Sequence, residues 1–209
     1  MRLLLPALAG LVVLFVVLEF TIPGTKEDDK PTMKPGTVKS AELTETEKNL
    51  LFAGGAKSIF AFDYRVPTET INELKVWIDH YEDGKKREPL ISHSTEVVSR
   101  SGRIIATFQE MSLTNDTVAK WVLTTAEEKE RSHVAYVRKQ PSTSGIKATL
   151  KRAQTMKIKS AEPIILAVIV KDTDAASISV GGGVFQDPTE LQSVIHRYQS
   201  VYVLRCRFR

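Results

Sequence analysis

Between Ser58 and Phe208 apolar and polar residues repeatedly exchange places along short segments, and a period of two restricts such a chain to a fold made of strands. In Ser58–Val66, Ile59, Ala61 and Asp63 fall on one side and Phe60, Phe62 and Tyr64 on the other. Leu74, Val76 and Ile78 then alternate with Lys75, Trp77 and Asp79, and Tyr81-Glu82-Asp83-Gly84 supplies an Asp-Gly hairpin turn. Further strands are expected at Leu90–Val98, Arg103–Met111, Val118–Thr125, His133–Arg138, Ala148–Ile158, Ile164–Lys171 and Ser200–Phe208. The run Ile164–Val170 is apolar on both faces, which predicts a central strand covered on both sides. Short strands at regular spacing predict a mainly β domain, an antiparallel β-sandwich of Ig-like or related Greek-key type.

Local signals punctuate this pattern. Thr44 and Glu47 ahead of Lys48-Asn49-Leu50-Leu51-Phe52 form a capping box that opens a short helix, and Gly54-Gly55 ends it. A second helical turn is expected at Asp187–Glu190, with Asp187 as the cap and Pro188 at the first helical position. Gly181–Gly183 reads as a flexible hairpin loop.

Ahead of the strands lies a different kind of sequence. From Leu3 to Leu18 the chain is apolar apart from Gly10 and Pro6, Arg2 precedes the run, and Glu19 ends it. Extended to Ile22, the segment approaches the roughly 20 residues that cross a bilayer core. The Ala7/Ala9 pair lies too early for cleavage and Glu19-Phe20-Thr21-Ile22-Pro23 is a poor signal-peptidase site, so residues 1–22 read as an uncleaved transmembrane or signal-anchor helix, with a cleaved signal as the alternative. Arg2 on one side and Lys26, Lys30 and Lys34 on the other leave the positive-inside rule undecided. The resemblance to an export signal places the soluble part outside the cytoplasm. Residues 23–43 carry the Pro, Gly, Thr and charged composition of a solvated linker, leaving residues 44–209 as one β-rich domain. The whole chain of 209 residues, 42% hydrophobic and 26% charged, has material for one sizeable core and is not a disordered chain.

Chemistry-bearing motifs are scarce. Cys206 is the single cysteine, so intrachain disulfides and zinc sites built on paired cysteines are excluded; its alternation with Tyr202, Leu204 and Phe208 predicts a buried thiol. Gly54–Ser58 lacks the glycines of a phosphate-binding loop, and a helix followed by a strand is the wrong order for one. His80, His93, His133 and His196 have no partner at metal-binding spacing. Asp63, Asp79, Glu82, Asp83, Glu96 and Glu110 supply carboxylates, but acid–base work requires two of them brought together in a cleft. No catalytic, cofactor or metal site is therefore expected, and the chain reads as a protein that is not an enzyme.

Charge is the feature that stands above background. Arg131, Arg138, Lys139, Lys147, Lys151, Arg152, Lys157 and Lys159 occur in a stretch without acids, and Arg205, Arg207 and Arg209 alternate along the last strand. Gathered on one face, these cations would attract anionic lipid, wall polymer or another envelope protein. Tyr136 is the one aromatic in the 131–161 stretch, which argues against nucleic acid. The sequence thus points to a membrane-anchored extracytoplasmic binding module at the cell envelope, working through a basic face or an exposed sheet edge. Two alternatives remain at this stage: an envelope hydrolase with carboxylates from separate strands, and a cytoplasm-facing membrane protein that binds nucleic acid or anionic lipid. Asn115-Asp116-Thr117 is a glycosylation sequon of consequence only in a lumenal domain.

Overall fold

The computed structural model describes residues 33–67, 71–113, 116–128, 131–141 and 145–209, the side chains of 111–113, 116–117 and 138–141 excepted. The expected membrane segment, residues 23–32 of the linker and Asn115 lie outside the described residues. In chain order the elements are β1 (Thr37–Ser40), α1 (Glu45–Ala53), β2 (Ser58–Arg65), β3 (Glu73–Glu82), β4 (Lys85–Lys86), β5 (Ile91–Glu96), β6 (Ser101–Leu113), β7 (Asp116–Glu127), β8 (Arg131–Pro141), β9 (Ile146–Lys151), β10 (Met156–Lys157), β11 (Ile164–Asp172), α2 (Pro188–Arg197) and β12 (Ser200–Phe208). The first sheet runs β10-β1-β2-β6-β7-β8 and the second β4-β3-β12-β11-β9, with β5 sharing the outer edge of β3 with β4. Every pairing is antiparallel, so the fold is a β-sandwich.

The alternation decides which side chains meet. Phe60, Phe62 and Tyr64 of β2, Ile104, Ala106 and Phe108 of β6, and Trp121 and Leu123 of β7 face Leu74, Val76 and Ile78 of β3 and Tyr202, Leu204, Cys206 and Phe208 of β12 in one buried cluster. Each large side chain withdrawn from water there contributes about 1.5–3 kcal/mol of transfer free energy, offset by ordering the chain. Cys206 lies inside this cluster, where burial pushes its thiol pKa up.

A second cluster explains why Ile164–Val170 is apolar on both faces. Ala167 and Ile169 enter the main core, while Val168 and Val170 join Val201, Val203 and Tyr81 beneath Leu191, Val194 and Ile195 of α2, Val184 and Tyr198. The second sheet is therefore covered on its inner face everywhere and on its outer face at one end. β11 lies between β12 and β9, as a strand buried on both sides requires.

Local signals act as expected at both helices. Thr44 Oγ1 accepts from the Glu47 amide at 3.2 Å and Glu47 Oε2 accepts from the Thr44 amide at 2.7 Å, closing the capping box. Asp187 caps α2, which continues well past the single turn expected because Leu191, Val194 and Ile195 recur at helical spacing. Asp83 at φ 51° and Gly84 at φ 74° form the β3–β4 turn, where consecutive left-handed residues suit the strand twist.

Three readings need correction. Thr37–Ser40, placed in the linker, pairs with β2 on one side while Thr37 and Val38 pair with β10 on the other, because Val38 fills a slot of the main core. The expected strand Ala148–Ile158 is two strands in different sheets: β9 pairs with β11 and β10 with β1. Gly181–Gly183 does not close a hairpin; it leads into a 3-10 turn at Gly182–Phe185 whose Val184 is buried in the second cluster.

Candidate binding face

The outer face of the second sheet is covered by α2 at one end, and its other end carries no helix among the described residues. Residues 75, 77 and 79 of β3 point to this side because 74, 76 and 78 enter the core; residues 205 and 207 of β12 do so because 204, 206 and 208 enter it. The register sets Arg205 opposite Trp77 and Arg207 opposite Lys75. The Arg207 guanidinium sits 5.9 Å from the Trp77 ring centroid, a cation–π contact.

One carboxylate lies within this group. Asp79 is nearly sealed, its side chain 4% exposed, and its oxygens meet Lys86 Nζ and Arg205 Nε, each at 3.0 Å. Asp79 thus holds Lys86 and Arg205, while Lys75 and Arg207 stand beside them around a half-buried indole. On the neighbouring edge, Ser92 and Ser94 of β5 lie opposite Trp77 and Lys75. Arg207 Nε is buried without a hydrogen-bond acceptor among the described residues. The row beyond holds Glu73 opposite Glu96, with the Arg209 amide bonded to the Glu73 carbonyl, which bounds the cationic area.

The remaining expected cations disperse. Arg131 is exposed at the start of β8, Lys157 is exposed on β10, and Lys159 pairs with Glu162 at 3.1 Å. Arg138 and Lys139 belong to β8, and their side chains lie outside the described residues. Lys147 and Lys151 turn between the sheets: Lys147 Nζ sits 4.4 Å from the Phe108 ring centroid and 3.9 Å from Glu110, and Lys151 Nζ donates to the Ala41 carbonyl at 3.0 Å. Lys171 joins them as an ion-pair partner of Glu110. Burial lowers the pKa of Lys147 and Lys151, and nearby Lys171 and Lys57 add to the lowering at Lys147. Arg152 donates to the Phe185 carbonyl at 2.7 Å and stacks over its ring. The basic stretch is thus no single face; of the expected cations, Arg205 and Arg207 come together, and Lys75, Trp77 and Lys86 complete a group that a search for charge runs passes over. The alternation of Lys75 and Trp77 against core positions was the available signal.

Four of the six carboxylates considered for acid–base work, Asp63, Asp79, Glu82 and Glu110, are held by cations. Asp63 meets Arg103 at 2.7 Å, Glu82 meets Arg87 at 3.1 Å, Asp79 has Lys86 and Arg205, and Glu110 has Lys171. A shallow cavity of about 430 Å³ is lined by His80, Glu82, Arg87, Glu88, Pro89, Leu90 and Tyr136. His80 is engaged there by Ser200 Oγ at 3.0 Å and by a parallel stack on Tyr202. Among the described residues, no group of three histidines, cysteines or carboxylates is placed to hold a metal ion, and no helix is long and apolar enough to cross a membrane.

No curated protein and no solved structure matches the chain. The YgaN domain family matches residues 37–208, a span that opens on the first residue of β1 and closes on the last of β12. Because the match takes in both sheets and both helices, the chain belongs to the YgaN domain family.

Proposed function

We propose that this chain is a membrane-anchored, extracytoplasmic binding module that captures phosphate-bearing envelope material through the uncovered end of its second sheet. The observation that carries this reading is the group Lys75, Trp77, Arg205 and Arg207, set side by side by the β3–β12 register with one sealed acid among the cations. Guanidinium groups suit phosphate oxygens because their donors form a planar fork, and the indole offers a flat apolar surface beside them. The apolar Leu3–Leu18 run supports a tether that keeps the domain close to anionic headgroups, where each cation is worth about 1 kcal/mol. The return of β6 beside β2 after an excursion through the other sheet supports a relative of the Greek-key sandwiches.

The test uses full-length protein in phosphatidylcholine nanodiscs, titrated with soluble polyglycerol phosphate, and in parallel nanodiscs containing phosphatidylglycerol. Arg205→Gln with Arg207→Gln should weaken the response at least tenfold and flatten its salt dependence, whereas Lys157→Gln with Lys159→Gln should leave it nearly unchanged. The soluble polymer and the lipid arms separate the two phosphate sources. Equal losses in both double variants, or no response from either probe, would remove this reading.

A further inference from the structure

Among the described residues, β8 is the longest strand that pairs on one side only. The parity of its backbone follows from the neighbouring ladders. The Val66 amide donates to the Arg100 carbonyl at 2.8 Å, which extends the β2–β6 register and makes even-numbered residues of β6 the ones bonded to β2. Odd-numbered residues of β6 then bond to β7, and the registers Gly102↔Glu127 and Trp121↔Tyr136 carry the alternation outward. In β8, even-numbered residues bond to β7, so the amides and carbonyls of residues 131, 133, 135, 137 and 139 face away from the sheet. Strand β5 lies on the same side of the sandwich, but among the described residues no backbone hydrogen bond joins it to β8.

The side chains on that parity are also free of the core. Arg131, His133, Ala135 and Val137 are exposed, Val137 at 59%. From Arg131 to Pro141 the sequence contains two arginines and one lysine and no acid. Long exposed edges are normally blunted by inward charges or short strands. The opposite edge of the other sheet is protected in that way, β9 turning Lys147 and Lys151 between the sheets, and β10 ends the first sheet with two residues.

We infer that β8 is a strand-addition site for an extended acidic polypeptide segment, whose backbone pairs with residues 131–139 and whose carboxylates answer the net positive charge of a strand with two arginines, one lysine and no acid. Charge selects this occupant over a second copy of the chain: antiparallel pairing of β8 with itself about Ala135 places Arg131 opposite Lys139, a like-charge arrangement. Main-chain bonds supply the affinity in such additions and the alternate side chains supply the choice of partner. The inference is independent of the basic face on the second sheet, because β8 belongs to the first.

Amide hydrogen exchange on full-length protein in phosphatidylcholine nanodiscs tests it, with an acetylated and amidated Glu-Val repeat peptide as probe and a Lys-Val repeat as control. The Glu-Val peptide should slow exchange at least tenfold at residues 131, 133, 135 and 137 while leaving 132, 134 and 136, already bonded to β7, unchanged. Ala135→Pro removes an outward donor and should abolish the effect; Val137→Glu, which keeps every amide, should weaken the Glu-Val peptide several-fold and so covers the case in which the proline variant misfolds. Uniform protection, no protection, an equal response to the Lys-Val peptide, or concentration-dependent protection without peptide would overturn the inference, the last by showing a second copy on the edge.

Discussion

The outer face of the second sheet has two halves made from the same strands and put to opposite ends. Toward Ser200, β3, β11 and β12 present Tyr81, Val168, Val170, Val201 and Val203, and α2 lies over them. Toward Phe208, β3 and β12 present Lys75, Trp77, Arg205 and Arg207, and no helix among the described residues lies over them. One half withdraws apolar surface from water, and the other holds cations at the surface beside an indole. With the uncovered half as the proposed binding surface, stability and recognition would divide along a single pair of strands, so mutations should separate them too.

The largest effect is expected in the covered half. Leu191→Ala opens a cavity between α2 and the sheet and should cost about 3 kcal/mol in chemical or thermal unfolding, while phosphate-polymer binding measured below the melting transition stays intact. A loss of binding of equal size would mean that the two halves are not separable.

Asp172→Asn comes next. The Asp172 carboxylate accepts the amides of Asp174 at 2.9 Å, Ala175 at 2.8 Å and Gln199 at 3.2 Å, tying the end of β11 to the residue before β12. These backbone donors hold its pKa below the usual value of 3.8. A depressed carboxylate stabilises the fold above that value and loses its contribution as pH falls through the folded-state pKa. The Asn variant should therefore be about 2 kcal/mol less stable at neutral pH, and the gap should narrow on acid titration followed by circular dichroism. A gap that stays constant with pH would assign the loss to packing instead.

The smallest stability effects belong to the uncovered half. Trp77→Ala should cost about 1 kcal/mol, because the ring is half-buried and its neighbours are long side chains. Arg207→Gln should fall within about 0.5 kcal/mol of the parent in denaturant titrations, while polymer affinity drops several-fold. A large stability loss from Arg207→Gln would make this half structural and break the contrast.

Much of this arrangement was legible in the residues. Most of the strands, the Asp83-Gly84 turn, the capping box at Thr44 and the buried position of Cys206 are short-range consequences of alternation and turn chemistry, and they appear where the sequence puts them. The cationic face was legible only in part. Alternation places Arg205 and Arg207 on one side of a strand, but the β3 neighbour that brings Trp77 and Lys75 to them is set by long-range pairing, which periodicity does not encode. The basic stretch misled for a related reason. In β9 the apolar Leu150 packs toward the cluster under α2, so Lys147 and Lys151, on the opposite parity, are turned between the sheets toward Phe108 and Phe62. Which side of an edge strand faces the main core depends on what covers the other side. The division of Ala148–Ile158 between two sheets was hidden likewise, since no glycine marks the crossing at residues 152–155.

The position of β1 has a mechanical consequence. Tension on the chain ahead of Met33 reaches the fold through a short clamp: the Met33 carbonyl held by Arg65, the Gly36 amide on the Arg65 carbonyl, and the Ile158 amide on the Gly36 carbonyl. That clamp lies between β2 and the two-residue β10, so a pull loads a handful of peripheral bonds before it loads the interior. If they yield, Val38 leaves its slot in the main core, and the domain lengthens by one four-residue strand while the β2–β6–β7–β8 and β3–β12–β11 ladders stay closed. The entry to the sandwich is built as a compliant element in series with a stiff one.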